Sequence, residues 1–536
     1  MSKIWWKPAP SLGEKARRRV SVHLIPVLFT LYIIAYIDRS NIGWTKLDMS
    51  KSREVGGLGL MNETIGFGAG MFFWSYWILE IPSTVSVLKR GARWVFIRIL
   101  LLWGIAATLM GFLGDQSVMP MLFGWLPKFQ TDSPVLAPIA NYLGTLDTNP
   151  AYQLYFFRFL LGLFEGGFFP TVIFYLSIWF RTQDRAKAMA LFLAAIPLAS
   201  AFGSVISKQL LHLDWFGLEG WRWVFIIQGV MPIIAAVVTA FVLPDRISEA
   251  AWLPSDEREL LERDLAAEQK HGSLKHGFAG FKSQLGVVAL LTLVYFGQNV
   301  SSYGLSTFMP SIYENILLDD DGKELERSLQ AARQAVKSKH AAARKSHTAN
   351  SEELAAALTQ IDEQSKPELK KISDKLEVAK EPNKGWLFIL TSATYVIAFL
   401  GMLYNGNRSD RHGERVWHVA VPLVVLGIFI ALVGLTFTNM WVGGALLLLG
   451  VGFFHYMHLP AFWPIPTMFL GSTAAASAIG FINMIGNLGG SVGQILVGEL
   501  ADTSYSTAML TLAPFPIVSG LIVLAINAGR GVRPAK

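Results

Sequence analysis

Residues 24–41 read LIPVLFTLYIIAYIDRSN. An uncharged apolar run ends on two adjacent opposite charges, Asp38 and Arg39. A helix needs roughly 20 apolar residues to cross the hydrocarbon core of a bilayer. Extended back to residue 21, this run is long enough, and it is expected to be a membrane span. Ahead of it lie Trp5, Trp6 and Pro8, then the basic run Lys15, Arg17, Arg18 and Arg19. No small-residue cleavage site follows a short apolar stretch, so no cleaved signal peptide is expected.

The rest of the chain repeats the pattern. Further apolar runs begin near residues 64, 94, 153, 187, 222, 284, 386, 416, 439, 473 and 506, which makes about twelve spans. The 536 residues are 52% hydrophobic and 16% charged, with a mean hydropathy of +0.41. Soluble chains carry about 25% charged residues. In lipid every backbone polar group must be bonded internally, so an all-α membrane protein is expected. The net charge of +7 does not indicate nucleic acid, because the basic residues flank apolar runs. The absence of cysteine excludes disulfides and thiolate metal sites.

Those basic residues orient the chain. Lys15 to Arg19 precede span 1; Lys89, Arg90 and Arg93 follow span 2; Arg181, Arg185 and Lys187 follow span 4; Arg408, Arg411 and Arg415 follow span 8; Arg530 and Arg533 end the chain. All fall on one side if both termini are cytoplasmic, in a multi-pass protein of the inner (plasma) membrane. Residues 1–243 then form a first six-helix bundle and 283–536 a second. Residues 244–282 form a cytoplasmic amphipathic linker containing Asp256, Glu257, Arg258 and Glu259. Lys89-Arg90-Gly91-Ala92-Arg93 after span 2 and Ser409 to Arg415 after span 8, including Asp410, Arg411 and Glu414, share a basic turn with glycine. The matching placement indicates duplicated halves and marks these turns as candidate gating loops. Two segments interrupt the pattern on the outer side, 115–150 and 314–384. The second is rich in Lys, Glu and Ala, breaks near Ser346 to Ser351, and reads as two solvated helices. Long loops translocate regardless of charge.

Ionisable residues within spans are costly and usually functional. Span 1 holds Asp38 and Arg39, and span 4 holds Arg158 and Glu165. Seven residues are almost two turns, so Arg158 and Glu165 share a face about 10 Å apart along the axis. Asp38 is expected to pair across helices with Arg158. Arginine binds carboxylates bidentately and keeps its charge. A carboxylate taken out of water holds its proton more tightly. Asp38 and Glu165 are therefore candidate proton carriers, and Arg39 and Arg158 candidate anion ligands. Glu80 and Arg98 lie nearer the span ends and read as gate or topology residues. Polar candidates are Tyr36 and Asn41 on span 1, Gln298, Asn299, Ser301, Ser302 and Tyr303 on span 7, and Asn483 with Asn487 on span 11. Gly480, Gly486, Gly489, Gly490 and Gly493 permit close helix approach around the two asparagines. Trp74, Tyr76 and Phe169 would suit an aromatic acid; Asn483, Asn487 and Gln298 a hydroxylated one. His455 and His458 lack a third ligand, so no metal site is expected. No nucleophile–base spacing marks an enzyme.

Ordered along nearly the whole chain stand Tyr36 to Asn41, Glu80-Ile81-Pro82-Ser83, Arg158 to Pro170, Leu243-Pro244-Asp245-Arg246, Tyr303 to Ser306, Asn407 to Arg415, Phe462 to Thr467 and Ile482 to Gly490. In this set the chain resembles the anion:cation symporter family of the major facilitator superfamily. The resemblance implies two pseudo-symmetric six-helix bundles, a midplane cavity and alternating access, with the proton as coupling ion and no cofactor. It implies protonation at Asp38 and Glu165, substrate or ion-pair roles for Arg39 and Arg158, and a site tyrosine at Tyr76. The Glu80 to Ser83 stretch is similar to the subgroup for phthalate, tartrate and related acids. The outer insertions, Lys89-Arg90 where Asp-Arg is usual, and Gln494 where proline is usual depart from the pattern. The expected function is proton-coupled uptake of a small organic anion by a monomer. The alternatives are a non-transporting sensor of such acids and a membrane enzyme or scaffold working through the outer insertion.

Overall fold

A computed structural model describes residues 11–126, 128, 137–271, 285–346, 351–469 and 472–528. Trp5, Trp6, Pro8, Arg530 and Arg533 lie outside the described residues. Those described trace twelve helical passes. Six belong to the first half: Leu12–Met49; Asn62–Tyr76 continued by Glu80–Arg90; Ala92–Met110; Pro150–Glu165 continued by Phe168–Trp179; Thr182–Leu193 continued by Ala195–Leu210; and Gly220–Val242. The second half adds Leu285–Ile316; Lys384–His412; Val416–Leu435; Met440–Phe462; Ser472–Ala501; and Tyr505–Leu512 continued by Pro514–Ala528.

Among the described residues ten helices are long and apolar enough to cross a membrane, and the two other passes depart for physical reasons. The second pass is interrupted at Trp77–Leu79, so neither piece alone spans. The eleventh carries Asn483, Asn487 and Gln494 among glycines, which lowers its hydropathy. Both are the passes that face each other between the halves, where lipid solubility is not required. Glycine makes that meeting close. A Cβ on Gly66 would lie 2.5 Å from the Gln494 carbonyl oxygen, and one on Gly498 would lie 2.7 Å from that of Asn62.

Two glycines end matching helices. Gly91 (φ 88°) follows the second pass and Gly413 (φ 62°) the eighth, both in the left-handed region where a side chain is strained. The two turns otherwise differ, with ψ 161° at Gly91 and 20° at Gly413, and so do their ion pairs. Arg93 reaches out of its turn to Asp245 and Glu249 of the linker, each at 3.5 Å. Arg415 pairs within its own turn with Asp410 at 2.6 Å, and Glu414 binds His418 at 2.8 Å. Arg90 covers the Trp94 ring, while Lys89 and Arg411 are exposed.

The linker helix Ser255–His271 docks on the first half. Glu257 pairs with Arg19 at 3.0 Å and Asp264 with Arg181 at 3.6 Å, and Trp252 stacks on His23. At the opposite face, Asp320–Ser346 and Ser351–Lys380 form the two expected helices. Leu318, Leu329 and Leu376 make a small apolar seam between them. Lysines tie this hairpin to both halves: Lys370 to Glu54, Lys337 to Glu63 at 2.7 Å, and Lys380 to Glu314 at 3.0 Å. The Lys370 ammonium holds the exposed Glu54 carboxyl below its ordinary pKa range. Glu314 itself belongs to the seventh pass, which runs on to Ile316, so the insertion begins slightly later than expected.

Small residues at helix crossings give a direct prediction. A Cβ on Gly162 would overlap the Phe72 carbonyl oxygen, and one on Gly493 would overlap that of Val300. Gly480 instead faces open space. Gly162→Ala and Gly493→Ala are expected to cost roughly 1–3 kcal/mol through overpacking, lowering the melting temperature in detergent. Gly480→Ala should melt with the wild type; equal melting of all three variants would refute the crossing geometry.

Candidate functional site

The two halves enclose a narrow central cavity. Among the described residues, Arg39 is its one lining arginine. From the first half it is lined by Tyr32, Tyr36, Arg39, Tyr76 and Phe169. The seventh pass contributes Tyr295, Gln298, Asn299, Ser302 and Tyr303, at helical spacings of three and four that keep them on one face. The tenth and eleventh passes add Tyr456, Trp463, Asn483 and Asn487.

Contacts between the halves close it on two sides. Toward the hairpin face, the Tyr36 and Tyr303 hydroxyls are 3.2 Å apart, and the Tyr303 ring meets Phe73 edge-on. Toward the linker face, Phe169 packs on Trp463 with ring centres 5.6 Å apart. On that side a polar ladder also crosses between the halves. The Asn299 amide donates to the Gly486 carbonyl and to Asn487, at 3.1 and 3.4 Å. Asn487 donates to Asn483 at 3.1 Å, and Asn483 donates to Glu80 at 3.0 Å.

The charges resolve into two arrangements. Arg39 Nε donates to Glu165 Oε1 at 2.7 Å, and the Nη2 group joins the same oxygen. Arg39 Nη1 reaches the Tyr303 hydroxyl at 3.4 Å. Its guanidinium lies 5.1–5.3 Å from the ring centres of Tyr36, Phe72 and Tyr76. This is the aromatic enclosure in which an arginine is held in one orientation. Glu165 is fully buried, and its second oxygen, Oε2, has no hydrogen-bond partner among the described residues.

Asp38 and Arg158 do not meet as expected. Asp38 accepts from Trp103 Nε1 at 2.5 Å and from the Asn41 amide at 2.8 Å, and among the described residues no ion pair joins it to Arg158. Indole and amide donors already satisfy its two oxygens. Arg158 is 1% exposed, lies against Phe72 with its ring centre 5.3 Å away, and leaves Nε and Nη1 without hydrogen-bond partners among the described residues. It still shares the buried face with Glu165, as the seven-residue spacing requires. Neither Arg158 nor Asn41 lines the cavity: the first lies against Phe72, and the second turns toward Asp38. Trp74 is 57% exposed on the outer surface of the bundle and cannot contribute an aromatic wall.

The remaining expected residues, Arg39, Tyr36, Tyr76, Gln298, Asn299, Tyr303, Asn483 and Asn487, converge on the cavity. Gln298 keeps Oε1 without a hydrogen-bond partner among the described residues. Tyr32, Tyr295, Tyr456 and Trp463 join them without having stood out in the sequence. Tyr32 precedes Tyr36 by four residues and Arg39 by seven, and Tyr295 precedes Gln298 by three, so helical spacing from the other candidates would have found both. Glu80, expected as a gate residue near the end of its span, instead accepts from a cavity asparagine.

A central polar cavity between two six-helix halves, closed on both sides, defines a membrane transporter. The sequence matches the Major Facilitator Superfamily model over residues 28–322, and the chain belongs to that superfamily. A protein of Agrobacterium vitis named "Putative tartrate transporter" is 30% identical over 522 residues, covering 96% of this chain and 95% of its own length. The inner membrane transport protein RhmT of Escherichia coli K12 is 29% identical over 525 residues, covering 97% of each chain. These relatives agree with the resemblance to anion:cation symporters. Among solved structures, the partially occluded inward open conformation of the E. coli xylose transporter XylE matches with a TM-score of 0.61 at 13% identity, covering 95% of this chain and 97% of that one. That likeness is one of fold. The matches give the sensor alternative no support.

Proposed function

We propose that the chain is a proton-coupled symporter that takes up a small hydroxylated organic acid of the tartrate class. The observation that carries this reading is the Arg39–Glu165 pair at the cavity wall. Arg39 is the lining arginine of the cavity, and its guanidinium is occupied by a buried carboxylate. A substrate carboxylate must compete with Glu165 for that group. Protonation of Glu165 removes the competitor, so acid and proton bind together. Asp38, held by Trp103 and Asn41 in the field of Arg158, is proposed as a second proton carrier. The Gln298, Asn299, Asn483 and Asn487 amides are suited to hydroxyls and a second carboxylate. The names of the tartrate-transporter relatives favour the same class. The basic turns support a cytoplasmic linker face with both termini on that side, and the transporter is proposed to work as a monomer in the inner membrane.

Proteoliposomes with an inwardly directed proton gradient test this. The expected result is accumulation of tartrate that collapses when a protonophore dissipates the gradient. Gradient-independent equilibration of tartrate, sugar acids and aromatic acids alike would overturn proton coupling.

A further inference from the structure

A second, partly open cavity lies under the helical hairpin. The first and seventh passes form its floor with Lys46 and Ser311, and the hairpin forms its roof with Arg333 and Lys380. Three carboxylates line it, and lysines occupy each of them. Glu314 and Glu326 lie 3.0 and 3.9 Å from Lys380. Glu377 lies 3.1 Å from Lys51 and 2.9 Å from Lys384.

Lys46 and Arg333 are left over. Among the described residues neither has a carboxylate oxygen within 4.0 Å. Lys46 is 2% exposed; its Nζ donates to the Tyr505 hydroxyl at 3.1 Å and lies 4.1 Å from the Phe308 ring centre. Glu314 and Asp502 act on it only at longer range, and an ammonium buried without a direct ion pair is costly. A bound anion would supply that counter-charge.

The cavity also lies in line with the central one. Lys46 follows Arg39 by seven residues, so the two share a face of the first pass about 10 Å apart. Ser311 follows Tyr303 by eight on the seventh pass. A closed layer separates the cavities: a Cβ on Gly43 would lie 2.6 Å from the Thr307 carbonyl oxygen, and Gln494 donates to the Thr307 hydroxyl at 2.6 Å. We propose that this roofed vestibule is a second carboxylate-binding site, where Lys46 and Arg333 hold the incoming acid before the closed layer opens to Arg39. The proposal rests on the organic-acid reading of the central cavity.

The test uses the full chain and tartrate. In membrane vesicles of opposite orientation, Arg333→Gln and Lys46→Met are expected to raise the half-saturating tartrate concentration at the hairpin face about tenfold, the loss of one charge-assisted contact. At the linker face half-saturation should not move, and Lys46→Arg should restore most of the affinity. Unchanged half-saturation at the hairpin face, or an equal change at both faces, would overturn the site. A second measurement separates it from the transport reading. Solubilised Arg39→Gln chain, impaired at the central cavity, should keep tartrate binding that Lys46→Met removes. Absence of such Lys46-dependent binding overturns the vestibule. Its presence, where the native chain accumulates no tartrate, supports the vestibule and refutes the transport reading.

Discussion

A Glu165→Gln chain in proteoliposomes is expected to exchange tartrate across the membrane yet concentrate it far less than the wild type under an inward proton gradient. Glutamine has nearly the shape of protonated glutamate and cannot lose a proton. In the native chain the buried carboxylate holds Arg39 through Nε and Nη2. With glutamine in its place that ion pair is gone, and the guanidinium is open to the substrate at every pH. Substrate can still bind and cross, but its passage no longer carries a proton at this position. One pH unit corresponds to about 1.4 kcal/mol. A gradient of about two units can therefore concentrate an acid about 100-fold per coupled proton, and the variant should lose about that factor from its accumulation ratio. Its half-saturating tartrate concentration should also become insensitive to pH at the face where the acid enters, whereas that of the wild type should fall as the medium is acidified. Labelled-tartrate counterflow reads the exchange and the imposed gradient reads the accumulation. A variant that accumulates tartrate to the wild-type ratio would remove Glu165 from the coupling mechanism and leave Asp38 to carry it.

The sequence displays the spans and the four buried charges because lipid enforces them: long apolar runs are needed to cross, and any charge inside one stands out. The pairing of those charges was not legible. Asp38 and Arg158 look like partners by sign alone, but nothing in the chain order shows that Trp103, on the third pass, aims its indole at Asp38. Adjacent residues on a helix point about 100° apart, which separates Asp38 from Arg39 but leaves either free to face the fourth pass. Cavity lining was legible where polarity breaks an apolar run, as at Asn483, Asn487 and Gln298. It was hidden at Tyr32, Tyr295, Tyr456 and Trp463, because an aromatic ring on a span reads equally well as lipid-facing. Trp74 shows the converse error, an aromatic residue assigned to the site that faces outward. Glu80 sits near the end of its span in sequence, yet the break at Trp77–Leu79 keeps it level with Asn483. The hairpin's helices were visible in its charge pattern. Its attachment to both halves was not, since each lysine finds its carboxylate only in three dimensions.

Replacing Arg39 by lysine is expected to weaken tartrate binding far more than the same change at Arg158, although both arginines lie near Glu165. Arg39 faces the cavity, reaches Glu165 and Tyr303 through different nitrogens, and is fixed among three aromatic rings. A lysine keeps the charge but presents a single point instead of a planar fork, and it stacks less well on those rings. Losing one charge-assisted hydrogen bond to the substrate costs roughly 1.5–3 kcal/mol, which is about 10- to 150-fold in affinity. Arg158 lies against Phe72 and outside the cavity lining, so lysine there removes no direct substrate contact. Its effect should fall on Asp38 and Glu165 through charge placement, and so on the pH dependence of uptake. Equilibrium binding of tartrate to the solubilised variants separates the two cases, with the melting temperature of each as the check that it has folded. A folded Arg39→Lys chain that binds tartrate as tightly as wild type would show that the substrate carboxylate is held elsewhere in the cavity. A larger loss at Arg158 than at Arg39 would mean that the closed cavity is not the form that recognises the acid.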